Sequence, residues 1–220
     1  TLFAGKIHGS AIAIILGLFM AYLGGSTTGG SRGLADISVF SGLGILGGAM
    51  FRDFAIVATA YGAELEALKK AGWIGSLSVL IGVVLSFFVG AIVAVGFGVS
   101  DPISITTIGA GTATFIVGPV TGTALGAESS IIALSIAAGL VKSILVMVGT
   151  PLVARRIGLN NPNSAMIYGG LMGTNSGVAA GLAATDPKLV PYGAMTATFY
   201  TGVGCLIVPS VLFFIVTSVF

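Results

Sequence analysis

The chain has 220 residues, 55% of them hydrophobic and only 7% charged, with a formal net charge of +2 and a mean hydropathy of +1.11. So few charges exclude a soluble domain of this size, and the basic residues are too few and too dispersed for nucleic acid binding. The apolar runs are too long for barrel strands and lack a period-2 alternation, which leaves an all-α polytopic membrane protein.

A span needs about 20 apolar residues, and on that measure the spans fall near 9–25, 37–60, 73–99, 129–150, 164–185 and 190–218. The chain begins at Thr1 with no initiator Met, so an N-terminal piece is expected to be missing. Segment 37–60 carries Arg52 and Asp53 side by side, just after Gly42, Gly44, Gly47 and Gly48. Charge at that depth costs about 2.5–3.5 kcal/mol on insertion scales, and irregular backbone there survives only inside protein or against a cavity. Residues 61–72, with Glu64, Glu66, Lys69 and Lys70, read as a solvated loop, and Trp73 as an interface anchor. Asp101-Pro102 makes a turn. Segment 103–127 is rich in Gly and Thr with Gly118-Pro119 inside it, 129–150 holds Lys142, and 151–163 is a basic loop with Arg155 and Arg156. Segment 164–185 is again rich in Gly and Asn, Asp186-Pro187-Lys188 turns the chain, and Pro209 offers a kink in the last span. Cys205, the one cysteine, has no partner for an internal disulfide.

Orientation follows from Lys and Arg in the short loops. Placing Lys69 and Lys70 inside brings Asp101 outside. Arg155 and Arg156 then also fall inside only if 103–127 starts and ends outside. The strings Gly109-Ala110-Gly111-Thr112 and Gly118-Pro119-Val120-Thr121-Gly122-Thr123 suit the tip of such a re-entrant hairpin. A faint repeat aligns 47–58 with 169–180 without gaps, Asp53 falling on Asn175. The two copies enter from opposite sides, as in inverted-repeat transporters. All-α architecture with inverted repeats, re-entrant hairpins or broken helices is the expected fold, in a single transmembrane domain over 1–220.

The chemistry divides into anion and cation binding. Arg52, always charged and fork-shaped, matches a carboxylate. Lys142, midway along its segment, can meet a second carboxylate or pair with Asp53 or Glu128. Helix N-termini at Gly118, Thr121 and Gly122 and at the break around Thr174, Asn175 and Ser176 offer free N–H groups to an anion. Asp53 can ligate Na⁺, with Thr59, Thr123 and Asn175 as further oxygen donors. There is no Cys/His metal set, no nucleotide loop and no Ser-His-Asp set around His8, so no enzyme and no organic cofactor is expected. The classes in play are a secondary transporter, a passive small-anion channel and a scaffold subunit of a transporter complex.

Four strings, Gly47-Gly48-Ala49-Met50-Phe51-Arg52-Asp53-Phe54-Ala55-Ile56-Val57-Ala58-Thr59-Ala60, Ile116-Val117-Gly118-Pro119-Val120-Thr121-Gly122, Ala138-Gly139-Leu140-Val141-Lys142 and Val146-Met147-Val148-Gly149-Thr150-Pro151, carry a resemblance. The chain resembles the MadM family, the larger membrane subunit of the bacterial malonate:sodium symporter, over essentially its whole length. The resemblance implies Na⁺-coupled uptake of malonate or a similar short dicarboxylate across the bacterial inner membrane. It also implies a small membrane partner of the MadL type. Malonate is a compact dianion, and the two cations at membrane depth, Arg52 and Lys142, fit it.

Overall fold

The computed structural model describes residues 9–30, 33–42, 50, 54 and 65–220. The described residues are helical throughout, with no strand among them. Helix α1 runs Gly9–Thr28 and is followed by two short 3-10 turns, Gly33–Asp36 and Ser38–Phe40. The helices that follow are α2 (Leu65–Gly96), α3 (Pro102–Ala113), α4 (Val117–Leu125), α5 (Ser129–Val153), α6 (Pro162–Met172), α7 (Asn175–Ala183), α8 (Val190–Ile207) and α9 (Phe213–Val219). Helix α2 starts inside the stretch expected to be a loop, and Gly72, at φ 65°, breaks it just before Trp73. A π turn, Val208–Leu212, joins α8 to α9 around Pro209, where the proline removes a helical donor.

Among the described residues three helical stretches are long and apolar enough to cross a membrane: Gly72–Gly96, Ser129–Val153 and Pro187–Val219. Their outward residues are apolar, Leu145 being 67% and Leu206 73% exposed, while Thr106, Thr107, Thr121 and Thr196 are fully buried. A polar interior inside an apolar surface is the arrangement that lipid solvation selects. Most of the expected span over 37–60 lies outside the described residues, and with it Arg52, Asp53, Thr59 and nearly all of the first copy of the 47–58 repeat.

Helices α3 and α4 form a hairpin. Thr114 is extended (φ −151°, ψ 156°) and ends α3. The chain then returns, so that a Cβ on Gly118 would lie 2.9 Å from the Gly111 Cα and one on Gly122 would lie 2.8 Å from Thr107. These pairs run in opposite directions along the chain, which makes the two helices antiparallel. With 12 and 9 residues, they are about 18 and 14 Å long, against about 30 Å of hydrocarbon.

The stretch 164–185, expected as one span, is a second hairpin. Gly173 at φ 68° and extended Thr174 reverse the chain between α6 and α7. Helix α8 lies against both arms. The Thr196 hydroxyl donates to Met166 O at 2.7 Å and the Tyr200 ring packs on Gly173, so α6 runs parallel to α8. The Asn175 amide donates to the Thr198 hydroxyl at 3.0 Å, while Val178 and Leu182 pack on Gly193, so α7 runs antiparallel to it.

The long helix α5 shows how the hairpins relate. Its first half runs beside α3, with Ser135 against Gly111 and Gly139 against Phe115. Its second half runs beside α7, with Ser143 against Gly177 and Thr150 against Gly181. The first hairpin therefore rises from the start of α5, the second descends from its end, and their tips meet near its middle. A core surrounds each: Phe87, Ile105, Val117 and Val208 pack around the first, and Ala154, Leu159, Leu182 and Leu189 around the second.

The same relationship is written in sequence once the hairpins are known. Residues 101–118 align without gaps on 161–178: Asp101-Pro102-Ile103-Ser104 falls on Asn161-Pro162-Asn163-Ser164, Gly109 on Gly169 and Thr114 on Thr174. Both hairpins start alike. Asp101 accepts from the Ser104 N–H at 2.8 Å and Asn161 from the Ser164 N–H at 3.0 Å, each with proline in the first helical turn.

Candidate substrate and cation site

The tips converge on Lys142. Its ammonium donates to the Ser86 hydroxyl at 2.9 Å, to Ala113 O at 2.8 Å and to the Tyr200 hydroxyl at 3.3 Å. Three donors meet three acceptors, so the ammonium is saturated. It also lies 5.0 Å from the centre of the Tyr200 ring, within cation–π range. Tyr200 is fully buried and donates its own proton to Gly82 O at 3.0 Å. These partners come from α2, α3 and α8, and Ala113 is the last residue of the first hairpin's rising arm.

The next residue of α5 holds the second tip. The Ser143 and Thr174 hydroxyls hydrogen-bond to each other, and both are buried. Thr174 also caps α7, accepting from the Gly177 N–H at 3.4 Å. Thr114, its counterpart, accepts from the N–H groups of Ile116 at 3.2 Å and Val117 at 3.0 Å. Each returning arm thus begins at a tip under a threonine hydroxyl. The N-terminal ends of α4 and α7, which carry partial positive charge, both face the middle of the bundle.

Of the residues singled out in the sequence, Lys142, Thr174, Asn175 and Ser176 come together here. Asn175 is tied to Thr198, and the Ser176 hydroxyl is buried without a partner. The Thr121 hydroxyl, one turn into α4, is likewise buried and unpartnered. Gly118 is a packing residue at the first tip, facing the Ser135 hydroxyl, and Gly122 packs further along on Ile132 and Thr107. Thr123 is exposed near the far end of α4, away from the tips. Arg52, Asp53 and Thr59 lie outside the described residues. Among the described residues no cluster of three or more His, Cys, Asp or Glu side chains is found, and the oxygens that the described tips offer are hydroxyls and carbonyls, which suit hard cations.

Sequence reasoning missed Ser86, Thr114, Ser143, Thr198 and Tyr200. The 101–118/161–178 repeat would have found Thr114, and no local signal marks the others. An open groove of about 750 Å³ lies beside Lys142, with Ser86, Thr112 and Lys142 at its floor and exposed apolar residues, among them Leu85, Val141 and Leu145, for the rest of its lining.

Residues 1–220, the whole chain, match the protein family described as the malonate/sodium symporter MadM subunit, as the resemblance in sequence implied. No curated protein and no solved structure matches the chain significantly.

Proposed function

We propose that this chain, which belongs to the malonate/sodium symporter MadM subunit family, is the transport subunit that takes up malonate with Na⁺ by alternating access. The observation that carries the reading is the pair of half-length hairpins approaching from opposite ends, with their tips meeting on Lys142 and Ser143 of one crossing helix. Half-helices that end near the midplane at the interface of inverted repeats are the usual site architecture of secondary transporters.

In this reading the malonate dianion lies between the tips. One carboxylate takes over part of the Lys142 ammonium and the positive end of α7 at Asn175 and Ser176. Arg52 is proposed as the second cation. Na⁺ is proposed to be held by Asp53 and Thr59 with hydroxyl oxygens of the hairpins, for which the buried and unpartnered Thr121 and Ser176 hydroxyls are candidates. A cation next to a dianion lowers the cost of bringing either into a low-dielectric site, which is a physical basis for coupling.

Charge supports a disposition. One end of the bundle carries Trp73 beside Asn163 and exposed Arg155, Arg156 and Lys188, while Asp101 and Glu128 lie at the other. With the basic end cytoplasmic, the first hairpin is re-entrant from outside and the second from inside, in a bacterial inner membrane. A small membrane subunit of the MadL type is the proposed partner.

The test is uptake of radiolabelled malonate into proteoliposomes under an inward Na⁺ gradient, with and without the partner subunit. Accumulation above equilibrium that needs Na⁺ supports the reading. Equilibration without accumulation replaces it with a channel, and absence of malonate flux in both preparations refutes it.

A further inference from the structure

We propose that Lys142 and Tyr200 act as one positioning unit that ties the two hairpin tips together, so that capture of the ammonium by a substrate carboxylate releases both. The proposal rests on the alternating-access reading above and takes the two hairpins as its moving gates. It adds a residue, Tyr200, that touches no substrate in that reading.

The geometry is a continuous chain of contacts. Ala113 O, at the first tip, holds the Lys142 ammonium. The ammonium holds the Tyr200 hydroxyl and faces its ring. The same ring is what a Cβ on Gly173, at the second tip, would collide with. Beyond it the Tyr200 hydroxyl is anchored on Gly82 O of α2. On the other side, α5 contributes Ser143 to Thr174 directly after contributing Lys142 to Ala113. The two tips therefore share α5 and Tyr200 as supports, beside the separate bonds of Thr112 to Ser86 O at 2.7 Å and of Asn175 to Thr198.

The ammonium has no spare donor, which gives the unit its function. A carboxylate can bind Lys142 only by displacing Ala113 O, Ser86 or Tyr200. Loss of the first frees one tip directly. Loss of the third leaves the Tyr200 hydroxyl held by Gly82 O alone and so loosens the ring that seats the second tip. A device of this kind lets one binding event act on two gates that lie on opposite sides, as alternating access requires.

The test is hydrogen–deuterium exchange of the ligand-free full chain in nanodiscs, comparing wild type with Lys142→Met, Tyr200→Phe and Ser86→Ala. The tips are read from peptides covering 112–118 and 171–178, the hairpin bases from 103–108 and 179–183. Lys142→Met removes three hydrogen bonds and Tyr200→Phe two, and we expect each to speed exchange at both tips by about five-fold or more, what a single lost hydrogen bond gives, with the bases unchanged. Lys142→Met acting on 112–118 alone, or Tyr200→Phe on 171–178 alone, overturns the proposal. A rise in every helix is a global loosening and overturns it too. Ser86→Ala removes the acceptor that belongs to neither tip and is expected to leave both tips within about two-fold of wild type, and Tyr200→Phe carries the test if Lys142→Met does not fold.

A second readout separates positioning from substrate contact. In Na⁺-driven uptake, Tyr200→Phe is expected to lower the maximal rate and leave the malonate KM within about two-fold of wild type, since it removes no substrate contact. A raised KM with an unchanged maximal rate makes Tyr200 a ligand and overturns the proposal. If wild type takes up no malonate, the functional reading fails while the exchange pattern still decides the coupling.

Discussion

Ser143 and Thr174 share a hydrogen bond between buried hydroxyls, which fastens the tip of the second hairpin to the middle of α5. Both groups are buried, so the loss of one leaves the other a hydrogen bond short, at about 1–3 kcal/mol. Ser143→Ala is expected to lower the unfolding temperature measurably in detergent. Thr174→Val is expected to lower it further, because it also removes the cap of α7. Equal, negligible shifts for both would show that the pair does not hold the tip.

Lys142→Met keeps the length and apolar stem of the side chain and removes its charge. Uptake of malonate is expected to fall at least about ten-fold, with folded protein still recovered from the membrane. Ten-fold is about 1.4 kcal/mol, modest for a charge at membrane depth. Uptake within two-fold of wild type would remove Lys142 from the transport path.

Gly173 sits at φ 68° with the Tyr200 ring against the place a Cβ would occupy. Gly173→Ala meets both obstacles and is expected to cost about 2 kcal/mol or more, read as a lower thermal midpoint. The companion Gly202→Ala, which has nothing within 4 Å of its added Cβ, is expected to be near neutral.

Asp101 caps the first hairpin, and the N–H and hydroxyl of Ser104 hold its carboxyl below the usual carboxylate range. A depressed folded-state pKa gives stability that is present above the unfolded value, near 4, and is lost as pH falls through the folded value. Asp101→Asn is therefore expected to be close to wild type at acidic pH and less stable at neutral pH, and Asp101→Ala to cost about 1 kcal/mol at neutral pH. Asn161 caps the second hairpin with a neutral amide, so Asn161→Ala should cost a similar amount independent of pH. Thermal midpoints between pH 3 and pH 7 check all three.

Thr121 buries a hydroxyl without a partner. Thr121→Val removes that unmet group at nearly constant shape, so without Na⁺ the variant is expected to be as stable as wild type or up to about 1 kcal/mol more stable. If the hydroxyl ligates the coupling ion, the Na⁺ concentration for half-maximal uptake rises. An unchanged Na⁺ response excludes Thr121 from the ion site.

Much of the architecture was legible in the chain. Composition made it a membrane protein, because 7% charge cannot solvate a domain of this size, and the length of its apolar runs made it all-helical. Glycine and threonine clusters around 109–123 and 173–177 marked backbone irregularity, because lipid tolerates it only under cover of protein. Lys142 stood out because an ammonium at that depth needs partners. What those partners are was a tertiary matter. Ser86, Ala113 and Tyr200 lie 56, 29 and 58 positions from Lys142, and nothing local in an apolar helix distinguishes these from their neighbours. The reversal at Gly173 and Thr174 was equally hidden. A glycine and a threonine can continue a helix, bend it or fold it back, and hydropathy is the same in each case. Packing against α8 selects the fold-back, because only that path seats Gly173 on the Tyr200 ring and brings the Thr174 hydroxyl to Ser143.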